Sequence, residues 1–413
     1  MIKRSFIKKI VAVVSALAIS TSMLAVSASA YTGKDRYDTC GRTMTAICGD
    51  NYKVISKVQY PSSVIIANGD TVKDTKGKAL TGASSITGST WSAPTLAYAK
   101  NAPVFYIPNT TTSDFTNKNI KKIFDYQNRD KLNSKEQNLV NLSREVSHMA
   151  RDYFHNTNGK TFTVYVLGNT KEIPSNITNF INSMYHPFKG QNIDIKRIYG
   201  KNKIDTNAKI MNMCYNKLCD NDIKNLVICQ SNSYQNLVTA TNYNAPVMLV
   251  DKNNITADQV AFIENNNIKK VTLCGQSFSA SVVKKIRTAS KLTNKNIYSS
   301  TLDNYTTNLI SIGKTFAASK NNVKNGTIVV NANAPIDCIT AAVANSISKN
   351  NVAILCEKNA YGFVKANIKT FIAEMYPNDA KAKQNYKDTM NKWYHSFSDA
   401  TRNGKDIVVG NIR

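Results

Sequence analysis

The chain has 413 residues, of which 42% are hydrophobic and 19% are charged. This length exceeds one ordinary domain, and this apolar content excludes a disordered polyelectrolyte. The 53 basic and 27 acidic residues give a formal charge of +26. Such a charge points to an anionic partner: nucleic acid, an acidic membrane surface or an anionic wall polymer.

The N-terminal segment has the pattern of a secretory signal. Four basic residues precede or border an apolar run over residues 10–26, and Ala28-Ser29-Ala30 supplies the small residues of a cleavage site. We therefore predict a signal peptide over residues 1–30, export of the remainder, and a mature charge of 49 − 27 = +22. An uncleaved membrane anchor is the alternative, but the run is short for a spanning helix, and no later stretch is long enough to cross a bilayer.

A seven-residue pattern opens three consecutive units of the chain. It reads GKDRYDT at residues 33–39, GKNKIDT at residues 200–206 and, more weakly, TLDNYTT at residues 301–307. A helix-like stretch follows each opening. After that helix comes a β-branched run bounded by turn residues, which predicts a buried strand; these runs are residues 64–69, 226–230 and 327–331.

The rest of each unit follows the same order. A helix of small residues leads into a second apolar strand, over residues 102–107, 245–250 and 352–355, and a third strand ends on Gly168, Gly275 or Gly410. Helices that alternate with continuous apolar strands predict α/β units with parallel sheets covered on both faces. We assign module 1 to residues 31–198, with a helical insertion at about 109–160, module 2 to residues 199–298 and module 3 to residues 299–413.

Charge and cysteine usage narrow the function. The modules carry 22 − 13 = +9, 13 − 6 = +7 and 14 − 8 = +6, and this even spread argues against a nucleic-acid binder, which concentrates its charge. Most of the eight cysteines lie within apolar stretches, which favours buried free thiols over disulfides. The sequence has no C-x-x-C pair and no cysteine at metal-binding distance from a histidine, so we expect no zinc site.

The ordered set of opening motif, apolar strand, Ala-Pro-aliphatic strand and strand closing on glycine, given three times, resembles the clostridial type 2 cell-wall-binding repeat. The resemblance covers nearly the whole chain after residue 30. It implies three tandem Rossmann-like modules in a pseudo-threefold arrangement. It also implies a surface protein held non-covalently by an anionic secondary wall polymer, with other surface-layer proteins as further partners.

The resemblance also implies which residues contact the polymer. In the opening motif they are Asp35, Arg36, Tyr37, Lys203, Asp303 and Tyr305. In the Ala-Pro-aliphatic strands they are Pro103, Val104, Phe105, Pro246, Val247, Met248, Ala353, Ile354 and Leu355. The chain departs from the family pattern, because its helix-start aspartate is clear only at Asp337, with Ser89 and Asn236 in the other copies.

The residues of the opening motif support two interpretations on their own. A motif that begins a helix favours anions, and Arg36 and Lys203 add positive charge for phosphate or carboxylate groups. Alternatively, Asp35 and Arg36 hold the junction between modules together.

Signals for catalysis are weak, and we expect no enzyme, cofactor or metal. No common hydrolase, zincin or nucleotide-binding motif appears. Glu145, His148, Asp152 and His155 lie 3, 4 and 3 residues apart and align on one helix face; a solvated face is the simpler explanation. The alternative function is a secreted wall hydrolase, or another enzyme, with its site in the insertion of module 1.

Overall fold

Three four-stranded sheets organise the computed structural model of the chain. The described residues are 29–31, 34–48, 60–215, 223–275, 278–293, 297–299, 308, 311, 327–349, 352–356, 380–381, 384 and 407–409. The proposed contact residues Asp303 and Tyr305 and residues 1–28 of the predicted signal lie outside them. No helix in these ranges is long and apolar enough to span a bilayer.

The first sheet follows strand β1 (Ser29–Tyr31) in the chain. Its strands are β2 Ser63–Asn68, β3 Val104–Ile107, β4 Thr161–Leu167 and β5 Asn192–Ile198, all parallel and in the order β3-β2-β4-β5. The helices of this part are α1 Arg36–Cys48, α2 Ala93–Lys100, α3 Asn117–Phe124, α4 Ser134–Thr157 and α5 Ile177–Met184. Helices α3 and α4 lie between β3 and β4, within the segment predicted to be an insertion.

The second and third sheets repeat this plan. The second has α6 Lys203–Tyr215, β6 Asn225–Gln230, α7 Tyr234–Thr241, β7 Val247–Val250, α8 Ala257–Asn265, β8 Lys270–Cys274, α9 Ala280–Ser290 and β9 Ile297–Ser299, with strand order β7-β6-β8-β9. The third has β10 Thr327–Asn331, α10 Pro335–Ser348, β11 Val352–Cys356 and β12 Ile407–Val409. Its order is β1-β12-β10-β11, so the first strand of the chain completes the last sheet.

The sequence explains the parallel sheets. Every residue of β2, β3, β7 and β11 is buried, as expected for strands covered by helices on both faces. In the first two sheets the chain runs from its first strand to one edge and then crosses back to the other side of that strand. This strand order is that of doubly wound α/β folds. The predicted α/β class with three parallel-sheet modules is therefore confirmed.

The modules meet through the helices of small residues. Helix α10 packs against both α2 and α7, and all its residues from Cys338 to Ser348 are buried. Alanines at 341, 342 and 344 leave no protruding side chain, which lets α10 approach α2 and α7 closely. Helix α10 of module 3 therefore contacts one helix from each of the other two modules.

A buried asparagine holds the junction between modules 1 and 2. The Asn207 amide on α6 donates to Thr95 Oγ1 on α2 at 2.9 Å and to the Val247 carbonyl on β7 at 3.1 Å. The Leu249 amide donates to Asn207 Oδ1 at 2.8 Å. One side chain thereby pairs the backbone groups of an edge strand that no neighbouring strand covers.

The junction between modules 2 and 3 repeats this contact. Asn308, which follows the third opening motif as Asn207 follows the second, donates to Thr239 Oγ1 at 3.2 Å and to the Ala353 carbonyl at 3.0 Å. The Leu355 amide donates back to Asn308 Oδ1 at 3.1 Å.

The third junction closes the ring between modules 3 and 1 with different residues. Cys40 takes the place of the asparagine, and its thiol contacts the Val104 carbonyl at 3.2 Å. Thr340, the counterpart of Thr95 and Thr239, donates to the Tyr106 hydroxyl at 3.2 Å. Three equivalent junctions around one centre give the pseudo-threefold arrangement.

The cysteines of the described chain are free thiols, as predicted. All seven that the structure describes are buried and none of them forms a disulfide: Cys40, Cys48, Cys214, Cys229, Cys274, Cys338 and Cys356. Burial raises the pKa of the Cys48 and Cys40 thiols. They behave as small core residues.

Candidate binding site at the junction of modules 3 and 1

The opening motif of module 1 begins helix α1 at this junction. The Asp35 carboxylate accepts hydrogen bonds from the Tyr37 and Asp38 amides at 2.9 and 3.0 Å. In module 2, Asn202 Oδ1 accepts from the Ile204 and Asp205 amides at 2.9 and 3.0 Å. Asp35 therefore caps helix α1, while its neighbours Arg36 and Tyr37 contact groups outside the helix.

Arg36 and Tyr37 bind the loop that follows strand β2. Arg36 Nη1 donates to the Gly69 carbonyl and to Thr71 Oγ1, both at 2.9 Å. The Tyr37 hydroxyl donates to the Asp70 carboxylate. Burial, together with that hydrogen bond, raises the pKa of the Tyr37 phenol. Arg36 is thus partly occupied in holding a loop of its own module, and these bonds do not cross the junction that the second interpretation of the motif assigned to Asp35 and Arg36.

Asp337 faces this corner from module 3. It lies in the first turn of α10, and burial raises the pKa of its carboxyl group to about 6, with the Arg36 guanidinium acting in the opposite direction. Asp337 of module 3 therefore lies within electrostatic range of Arg36, which with Tyr37 binds the loop at the carboxyl end of the first sheet, where doubly wound folds bind ligands.

A cavity of about 430 Å³ opens beside this corner. It is bounded by α1, by Phe105 and Tyr106 of β3, and by the first half of α4. Tyr37 and Phe105, two residues predicted to contact the polymer, line it together. Arg42 and Arg144 stand at its rim, with side chains that are each 55% exposed.

Lys203 occupies the corresponding place at the junction of modules 1 and 2. Its ammonium nitrogen lies 4.3 Å from the centre of the Trp91 ring, a cation–π contact. Burial lowers the pKa of this ammonium group, while Asp251 acts in the opposite direction. The positive charge of Lys203 is therefore held against module 1.

The Ala-Pro-aliphatic strands supply packing instead of surface. Val104, Val247 and Met248 are at most 2% exposed. Ala353, Ile354 and Leu355 are buried to the same degree, while the Pro103 and Pro246 carbonyls accept backbone hydrogen bonds from the adjacent strands. Because these strands lie between helices, their side chains offer no surface to a polymer; Phe105 alone of this set lines the cavity.

The acidic and histidine row on α4 does not form a metal site. Glu145 accepts from Thr45 Oγ1 at 3.0 Å and pairs with Arg144, and Asp152 pairs with Arg151 at 3.1 Å. Across the ranges the structure describes, no three histidine, cysteine or acidic side chains could hold a metal ion.

Sequence reasoning missed several residues of the corner and cavity. Asp70 and Asn109 belong to the corner, where the backbone amide of Asn109 donates to Asp70 Oδ2 at 2.7 Å. Asn138 and Arg144 reach the cavity from the insertion. In doubly wound folds the loop after the first parallel strand is a common ligand-binding position, and this rule could have indicated Asp70. Nothing in the local sequence indicates that Asn138 lines the cavity.

The fold and the junctions define a class of protein: a ring of three doubly wound α/β modules with polar corners between them. Among solved structures, the chain is similar to Cwp6 from Clostridium difficile, with a TM-score of 0.52 and 17% sequence identity. The similarity covers 82% of this chain and 43% of that one, so this chain spans less than half the length of its neighbour. No protein-family model and no curated protein matches the sequence.

Proposed function

We propose that this protein is an exported, non-catalytic surface protein that attaches to the cell wall by binding an anionic secondary wall polymer. The observation that carries the proposal is the corner at which Arg36 and Tyr37 of module 1 bind one loop beside an open cavity, with Asp337 of module 3 in electrostatic range of Arg36. The positive charge is spread over three modules of one rigid ring. A repeating polyanion matches such an array, because several weak contacts on one body add to high avidity.

Two further features support a wall location. The N-terminal pattern predicts export, and the similar fold in Cwp6 belongs to a cell wall protein. Non-covalent attachment is what the resemblance to the cell-wall-binding repeat implies. Other surface-layer proteins are expected neighbours at that location.

The test is sedimentation of the purified chain from residue 29 onward, which keeps strand β1, with cell walls, before and after the anionic polymer is stripped. We expect binding to intact walls that weakens with salt, since exposed charges are screened. Equal binding to intact and stripped walls would refute the proposal.

One variant connects the test to the corner. Arg36→Gln should weaken sedimentation with intact walls by about tenfold, the effect of losing one charge-assisted contact. Lys118→Gln is the matched control, because it removes one positive charge from an exposed position on α3. Equal losses in both variants would mean that bulk charge, and not the corner, governs binding.

The alternative enzyme function has a direct assay. A wall hydrolase in the insertion would use Glu145 or His148, but Glu145 is held by Thr45 and Arg144. Zymography on walls with the wild-type protein and with a Glu145→Gln/His148→Ala double variant decides the matter. Clearing by the wild type that the double variant lacks would establish catalysis.

A further inference from the structure

The cavity between α1, β3 and α4 has one wall that belongs to this chain's insertion. Helix α4 contributes Asn138, Asn141 and Glu145, while α1 contributes Gly41 and Thr45. Its volume of about 430 Å³ lies in the range of small-molecule sites.

Asn138 presents an open amide to this cavity. The residue is 9% exposed and lines the cavity. Among the residues that the structure describes, no group forms a hydrogen bond with its side-chain amide. The amide atoms are not among the fully buried ones that lack a partner, so they remain accessible from the cavity. A ligand with hydroxyl groups would supply hydrogen-bond partners there.

Gly41 lines the same cavity from helix α1. A Cβ atom added at Gly41 would meet Glu145 Cγ at 3.8 Å, which is an ordinary contact. The space beside Gly41 therefore admits a larger side chain, which makes this position suitable for filling the cavity.

The charges of the lining select the chemistry of the ligand. Arg42 pairs with Asp38 at 3.0 Å, and Arg144 pairs with Glu145 at 3.1 Å, so the formal charge of the lining is balanced. What remains is a set of planar donors and acceptors beside the Phe105 and Tyr106 rings. Amide, carboxylate and guanidinium groups donate to and accept from hydroxyls, whereas the two rings are only 3% and 2% exposed and form the floor of the cavity.

We propose that this cavity is a saccharide subsite that binds an uncharged mono- or disaccharide unit of a wall glycan. The inference rests on the proposed function and adds that two neighbouring sites bind different parts of the polymer. The junction corner attracts the anionic groups of the polymer, and the insertion of module 1 recognises a neutral sugar next to them.

The experiment measures saturation-transfer NMR on the mature chain with two probes. One probe is wall-polymer fragments whose phosphate or carboxylate groups have been removed or amidated; the other is peptidoglycan disaccharides. The variants are Asn138→Leu, which keeps the side-chain size and removes the amide, and Gly41→Leu, which fills the cavity. Asn179→Leu makes the same exchange at an exposed position on α5 and serves as the control.

We expect the wild type and Asn179→Leu to bind at least one probe, and the probe that binds identifies the source of the sugar. Asn138→Leu should lose about tenfold or more in affinity while unfolding at the same or a higher denaturant concentration than the wild type. Gly41→Leu should lose binding as well, which covers the case in which Asn138→Leu does not fold.

Two results would overturn the subsite and leave the proposed function intact. One is equal binding of the probes by the wild type, Asn138→Leu and Gly41→Leu. The other is a wild-type protein that sediments with intact walls and binds neither probe. Conversely, if the probes bind through Asn138 but sedimentation is equal with stripped walls, the subsite stands and the anionic-polymer function fails.

Discussion

Asp337 gives the sharpest test of the junction between modules 3 and 1. Burial at the start of α10 raises the pKa of its carboxyl group from 3.8 to about 6. Below pH 3.8 the folded and unfolded chains both hold this proton. Between pH 3.8 and 6 the unfolded chain releases it while the folded chain retains it, so the stability of the fold decreases as the pH rises through this window.

The perturbation is Asp337→Asn, which keeps the shape of the side chain and removes its ionisation. A pKa raised from 3.8 to about 6 corresponds to about 3 kcal/mol, at about 1.36 kcal/mol for each pH unit. We therefore expect the variant to exceed the wild type in unfolding free energy by about 3 kcal/mol above pH 6. The difference should vanish below pH 3.8.

The assay is urea unfolding followed by circular dichroism between pH 3.5 and 8. Asp258→Asn is the matched control, because Asp258 lies in the first turn of α8 but is exposed. The Asp258 carboxylate stabilises the N-terminus of α8, so Asp258→Asn should lower the unfolding free energy by about 0.5 kcal/mol at neutral pH. The reasoning is refuted if Asp337→Asn is no more stable than the wild type at pH 7.5, or if its advantage does not change with pH.

Two further predictions concern the core. Asn207→Ala should lower the unfolding free energy in urea by about 3 kcal/mol, because it leaves the buried Leu249 amide without an acceptor and opens a small cavity. The control Asn179→Ala, at an exposed position, should change the unfolding free energy by less than about 0.5 kcal/mol. Similar effects of the two variants would contradict the role of Asn207 at the junction. Iodoacetamide at neutral pH should label the seven buried cysteines only after unfolding, since their thiols are inaccessible and protonated. Rapid labelling of Cys40 in the native protein would show that the ring opens.

Much of the fold was predictable, because its signals are local. The apolar runs at residues 64–69, 226–230 and 327–331 predicted the strands β2, β6 and β10, which the structure confirms within one residue at each end. The edge strands β1, β5 and β9 were not predicted. β5 is an edge strand in which exposed and half-buried residues predominate, so it lacks the continuous apolar run that marks a buried strand.

The candidate site was predictable in part. The repeat pattern singled out Arg36, Tyr37 and Phe105, and the structure brings Tyr37 and Phe105 to one cavity. The same pattern singled out Val247 and Met248, which are buried. A repeated motif records positions that the module needs, and it does not separate those that pack from those that face a ligand.

The sequence by itself determined the repeated order of helices and strands and the positive charge, because periodicity, turn residues and charge are properties of neighbouring residues. Only the tertiary structure decided that Thr95 meets the Val247 carbonyl 152 residues later and that β1 joins the last sheet. It also decided that Asn138 is buried and that burial raises the pKa of the Asp337 carboxyl group. Burial and pairing depend on groups from distant segments, which chain order does not reveal.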